Sequence, residues 1–205
     1  MVQFDNISDD ERKKVAEEAA HLLLQLQTPN LGGPGAPMVL GNSIAEQLIT
    51  PQWVAAESDS DAKPLLRATG QTISIVETRA SNGETAGGAP TPQEAVAYVR
   101  HATGTGRDDK AVQITAVSSS AIAGRIRDGL AWINANVSGE PMVRVLTAPA
   151  YQLTALGLFA DDELTGVLIV TPMAGGLPIA NEQLLTPAEF RRRLRTFPPI
   201  QGLEP

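Results

Sequence analysis

Between residues 9 and 27 the apolar positions Val15, Ala19, Leu22, Leu23 and Leu26 recur at helical spacing, which predicts an amphipathic helix. Ser8 and Glu11 form a capping-box pattern at its start, and Thr28-Pro29 ends it. A stretch rich in Gly and Pro follows over 28–43, a composition suited to an irregular loop or tether. Residues 44–50 then read as a short helix entered at Ser43, with Glu46 completing a second capping pattern.

Further along, the period changes from helical to alternating. Gln71 to Glu77 places Ile73 and Ile75 on one side and polar residues with Val76 on the other, as a strand does. A Gly-rich segment over 81–90 leads to Thr91-Pro92-Gln93-Glu94, a helix start whose inner stripe is Ala95, Val96, Val99 and Ala102. Lys110 to Val117 alternates again. Ser118 to Ser120 opens a long helix with Ile122, Ile126, Leu130 and Ile133 on one face. Met142 to Leu146 is an alternating strand, with Val143 and Val145 opposed to Arg144. A short helix is expected over Tyr151 to Phe159, and Gly166 to Val170 is an apolar run fit for a central strand. Thr186-Pro187-Ala188-Glu189 starts a last helix that buries Phe190, Leu194 and Phe197 and stops at Pro198-Pro199.

These elements predict an α+β fold: a two-layer sandwich of helices on a mixed sheet of about four strands, plus the N-terminal amphipathic helix. Strands alternating with helices also admit an α/β fold with a parallel sheet. Three of the four strands are apolar on one face only, which favours the first reading. The expected organisation is an N-terminal helix over 1–27, a linker over 28–43 and a single α+β domain over 44–205.

Composition narrows the function classes. The chain has 205 residues, 42% hydrophobic and 19% charged, in the range of a folded protein. Eight aromatic residues and a formal charge of −7 oppose nucleic-acid binding, which needs cationic surface and stacking platforms. With no Cys there is no disulfide framework, thiolate nucleophile or cysteine-ligated zinc, which fits a reducing compartment. Asp5, Asp9, Asp10 and Glu11 give the N-terminus no basic start, and the run Leu22 to Leu26 is too short for a leader core or a membrane span. A cytoplasmic protein without membrane partners is expected.

Candidate chemistry is sparse. His21 lies one turn after Glu17, away from the apolar stripe, and reads as a solvated helix position. His101, on the expected helix face with Glu94 and Tyr98, is the better acid–base candidate. Gly41-Asn42-Ser43-Ile44-Ala45 only approaches a nucleophile elbow, so Ser43 reads as a helix cap. Ser118, Ser119 and Ser120 stand between a strand and a helix N-terminus, where free N–H groups favour an anion. The carboxylates around Asp59 lack the Gly and Glu of a calcium loop, so no metal site and no cofactor are expected. Arg191, Arg192, Arg193 and Arg195 are the sharpest charge anomaly. Arg191, Arg192 and Arg195, opposite Phe190 and Leu194, with Phe197 beyond them, suit a protein partner.

The function these features suggest is a non-catalytic interaction or assembly subunit of a cytoplasmic complex, with a protein partner or self-association. The alternative is a small enzyme or an anion- or small-ligand-binding domain that uses the 118–120 loop or the His101 helix face.

Overall fold

A computed structural model describes residues 2–4, 7–25, 38–78, 94–103, 112–118, 120–171 and 183–200. Among the described residues five helices, α1 (Asp9–Gln25), α2 (Pro51–Ala55), α3 (Asp59–Ala62), α4 (Ser120–Asn136) and α5 (Pro187–Leu194), accompany seven strands. The strands are β1 (Met38–Leu48), β2 (Arg67–Thr78), β3 (Glu94–Thr103), β4 (Val112–Ser118), β5 (Met142–Ala148), β6 (Leu153–Ala160) and β7 (Glu163–Ile169). They form one mixed sheet in the order β4-β3-β2-β1-β5-β6-β7. β1 and β5 are paired in parallel, with Glu46 opposite Val145, while β2–β3–β4 and β5–β6–β7 are antiparallel runs. The class is α+β, and the sheet is mixed.

The sheet has seven strands where about four were expected, and the reason is specific. The four segments expected as strands, three alternating and the apolar run 166–170, correspond to β2, β4, β5 and β7. Three segments expected as helices, 44–50, the stretch after Thr91 and 151–159, instead supply β1, β3 and β6. On β3 Ala97, Val99 and His101 are buried at a period of two, with Ala102 buried beside them. The helical stripe read there came from Ala and Val, whose spacing suits either period. Every residue of β6 from Ala155 to Phe159 is buried, so it carries no alternation at all. On these segments burial and pairing override local propensity. The Thr91 cap, residues 28–37 of the expected linker and the Gly-rich segment 81–90 lie outside the described residues, while residues 38–43 of that linker belong to β1.

Two compact units make up the chain: one of Met1–Phe4, Ile44–Gly70 and Asp128–Pro205, the other of Asp5–Ser43 and Gln71–Arg127. In the second, α1 begins where Ser8 Oγ accepts from the Glu11 N–H at 3.2 Å. Its stripe of Val15, Ala19 and Leu23 is buried against Leu40 of β1, Val76 of β2 and Ala97 and Val99 of β3. Arg12 Nη1 donates to the carbonyl oxygens of Leu40 and Gly41, at 3.2 and 2.9 Å.

In the first unit the core gathers Ile49, Trp53, Leu146, Phe159, Phe190 and Leu194, among others. Thr50 caps α2, accepting from the Trp53 N–H at 3.2 Å, and Pro51 takes the first helical position. Thr186 does the same for α5, accepting from Glu189 N–H at 3.2 Å ahead of Pro187. These two Thr-Pro starts aim Trp53 and Phe190 at one another, with ring centroids 6.0 Å apart. Among the described residues no helix is long and apolar enough to cross a membrane.

Candidate functional site

The first unit encloses a cleft of about 810 Å³. α2 supplies Trp53, α3 supplies Asp59, and the 3-10 turn after it supplies Lys63. From the sheet come Gln47 of β1, Arg144 of β5 and Phe159 of β6, with Asp162 and Glu163 from the turn into β7. Arg191 enters from α5.

Charges in this cleft are sorted by depth. The Arg191 side chain is 4% exposed, and its partner Asp59 is 65% exposed. Arg144 is 20% exposed, and Asp162, 2.7 Å from its Nη2, is 75% exposed. Guanidinium groups therefore sit inside and carboxylates stand at the rim. Lys63 and Glu163, 2.7 Å apart, close the rim as a solvated pair. A buried cation needs compensation. Both arginines find it in a rim carboxylate and an aromatic face, Arg191 at 5.2 Å from the Trp53 ring centroid and Arg144 at 4.6 Å from that of Phe159. Among the described residues the Gln47 side-chain oxygen is out of solvent and has no hydrogen-bond partner.

The Arg-rich run thus has three uses, and the expectation that Arg191, Arg192 and Arg195 share a free outer face is corrected. Arg191 is buried, because α5 covers an arc wide enough to take in Pro187, Phe190, Arg191 and Leu194. Arg195 Nε donates to Val54 O at 2.8 Å and its Nη2 to Ala56 O, tying α5 to the end of α2. Arg192 stays exposed. Arg193 and Arg192 hydrogen-bond Glu189, which holds the Glu189 carboxyl below the usual carboxylate range. Phe197 is half-buried on the core of this unit.

The other unit holds a second polar cluster. Ser43 Oγ on β1 lies 2.8 Å from Ser74 Oγ on β2, which lies 2.9 Å from His101 Nε2 on β3. His101 therefore does not stand on a solvated helix face; β3 is a strand, and His101 has no exposure. Burial lowers its pKa from the ordinary 6.5 to about 4. The chain Ser43–Ser74–His101 has the components of an activated hydroxyl. Yet Nδ1 has no partner to orient the ring, and with all three residues buried no substrate can reach the hydroxyls.

Ser118 ends β4 and Ser120 opens α4, the strand-to-helix setting expected of them, while Ser119 lies outside the described residues. His21 is exposed, as the helical period indicates. No group of three or more His, Asp or Glu is placed to hold a metal ion among the described residues. Gln47 and Trp53 carry no signal in the sequence, Asp59 stands out there only as part of a carboxylate group without a calcium-loop pattern, and Arg144 only as the lone charge in an apolar strand.

No family model matches the sequence, and no curated protein and no solved structure matches the chain. Function is therefore argued from the cleft alone.

Proposed function

We propose that the protein is a non-catalytic binding protein of the cytoplasm whose ligand site is the cleft around Arg191 and Arg144. The observation that carries this reading is the placement of two guanidinium groups in a cavity, Arg191 buried and Arg144 half-buried, each beside an aromatic ring and a rim carboxylate. The volume of about 810 Å³ falls in the range of small-ligand pockets. The lining supports binding rather than chemistry. It includes no histidine, and its hydroxyl, Ser60 Oγ, is 2.8 Å from Ser58 Oγ, which bonds Asp61 Oδ2 at 2.6 Å within the exposed cap of α3. The absence of cysteine from the chain supports the compartment.

Assembly with a protein partner through the last helix has less support. Of Arg191, Arg192, Arg195 and Phe197, the first is buried, the third bonds the backbone beside α2 and the fourth packs on the core. Arg192 is left to solvent.

Thermal-shift screening of the full chain against small anionic, cationic and neutral metabolites tests the binding reading, with light scattering on the same samples. A saturable rise in unfolding temperature for a monomer is expected. A protein that responds to no compound and is recovered only as an oligomer or a stable complex would favour assembly and end the small-ligand reading.

A further inference from the structure

We infer that the cleft recognises an oxyanion, the carboxylate or phosphate group of a small organic ligand, which takes the places of the Asp59 and Asp162 carboxylates on Arg191 and Arg144. This rests on the cleft being the ligand site. Among the described residues, Arg191 gives one N–H to Asp59 and Arg144 gives one to Asp162, and neither pair is bidentate. A guanidinium carries five N–H donors in a planar fork, so each keeps donors for a second acceptor. Each guanidinium carbon lies over an aromatic ring, Arg191 over Trp53 and Arg144 over Phe159, and both side chains line the cleft. The planes are held before any ligand arrives, so the ordering cost of binding is reduced.

Exchange at these positions favours the ligand for a physical reason. Asp59 and Asp162 are mostly solvated, and such carboxylates gain little from their pairs and are rehydrated when displaced. An oxyanion that enters the cleft can accept charge-assisted N–H bonds from the guanidiniums, and these are stronger at the buried Arg191 than at the rim. The partnerless Gln47 oxygen adds a requirement. A buried acceptor left unsatisfied is costly, so the ligand that fits best also carries an N–H or O–H group to donate to it.

The decisive experiment titrates the ¹⁵N-labelled full chain with inorganic phosphate and, separately, with succinate at constant ionic strength. The Trp53 indole N–H is the probe, and Trp132 serves as the control. A saturable shift at Trp53 that spares Trp132 is expected from at least one anion, and the stronger one separates phosphate from carboxylate recognition. Asp59→Asn and Asp162→Asn, which remove the competing charges, should tighten binding about two- to fivefold. Arg144→Gln should weaken it about tenfold or more. Arg191→Gln is kept as a secondary variant because that side chain is buried, and Arg144→Gln gives the answer if it fails to fold.

Weaker binding in Asp59→Asn, or anion shifts unchanged by Arg144→Gln, would overturn the oxyanion assignment. Putrescine is titrated as a cationic arm. A Trp53 response to putrescine and to neither anion sinks the oxyanion inference and leaves the binding site standing. No Trp53 response to the anions, to putrescine or to a neutral fragment set sinks both.

Discussion

His101 Nε2 lies 2.9 Å from Ser74 Oγ on the neighbouring strand, and neither residue has any exposure to solvent. The contact has a consequence for stability against pH, because burial lowers the imidazole pKa from 6.5 to about 4. Above the ordinary value the ring is neutral in both the folded and the unfolded chain. As pH falls through the window from 6.5 to about 4, the unfolded chain takes the proton and the folded one does not. Stability therefore declines across that window, by up to about 3 kcal/mol, and the loss is complete below it. Urea unfolding at about pH 7.5 and about pH 4.5 checks this when wild type is compared with His101→Gln. The advantage of wild type over the variant should shrink on acidification, and a difference that stays constant with pH would refute the assignment.

Gly124 and Gly129 both lie in α4 and should respond to alanine with opposite signs. A Cβ at Gly124 meets nothing within 4 Å, so Gly124→Ala gains helix propensity, up to about 1 kcal/mol. At Gly129 the same atom would stand 2.9 Å from Leu156 Cδ1 and 3.0 Å from Val170 Cγ1. Leu156 and Val170 are themselves buried, so Gly129→Ala should overpack the site and lose about 1–2 kcal/mol. Denaturation midpoints of the two variants decide between propensity and packing.

Where the sequence was legible, one physical signal stood alone. β2, β4 and β5 alternate apolar and polar positions, and α1 and α5 begin with capping residues that the structure shows bonded as expected. β1 failed because Ser43 and Glu46 mimic a helix start, although both are buried polar residues of a strand. β6 failed because a segment buried on both faces has no period to read. The cleft was largely invisible. Asp59 and Arg191 are 132 positions apart, and nothing local to either announces the pair. Arg191 stands out as charge, but a face drawn through Phe190 and Leu194 alone leaves it outward, whereas the buried arc of α5 also takes in Pro187 and Arg191.

The two exposed arginines of α5 should separate a structural role from a superficial one. Arg195 donates to the carbonyl oxygens of Val54 and Ala56 from the far end of its helix. Arg195→Ala leaves both acceptors without that partner, and a loss of about 1–3 kcal/mol is expected. Arg192 pairs only with Glu189 of its own helix, with its side chain 76% exposed, and Arg192→Ala should cost less than about 0.5 kcal/mol. Equal losses in chemical denaturation would mean that the contacts of Arg195 with α2 carry no weight.

Asp161 and Asp162 form the two-residue turn between β6 and β7, and both are left-handed, with φ of 48° and 65°. A tight hairpin demands positive φ at these positions to match the strand twist, and Asn or Gly meets that demand with less strain than Asp. Asp161→Gly should therefore raise stability, by about 0.5 kcal/mol after the added entropy of glycine in the unfolded chain is counted. Asp162→Gly relieves the same strain but removes the partner 2.7 Å from Arg144 Nη2, so its gain should be smaller or absent. Thermal unfolding of the two variants at low and high salt isolates the difference. The gap should narrow as salt screens the exposed Asp162 pair, and a gap that widens would contradict the ion pair as its cause.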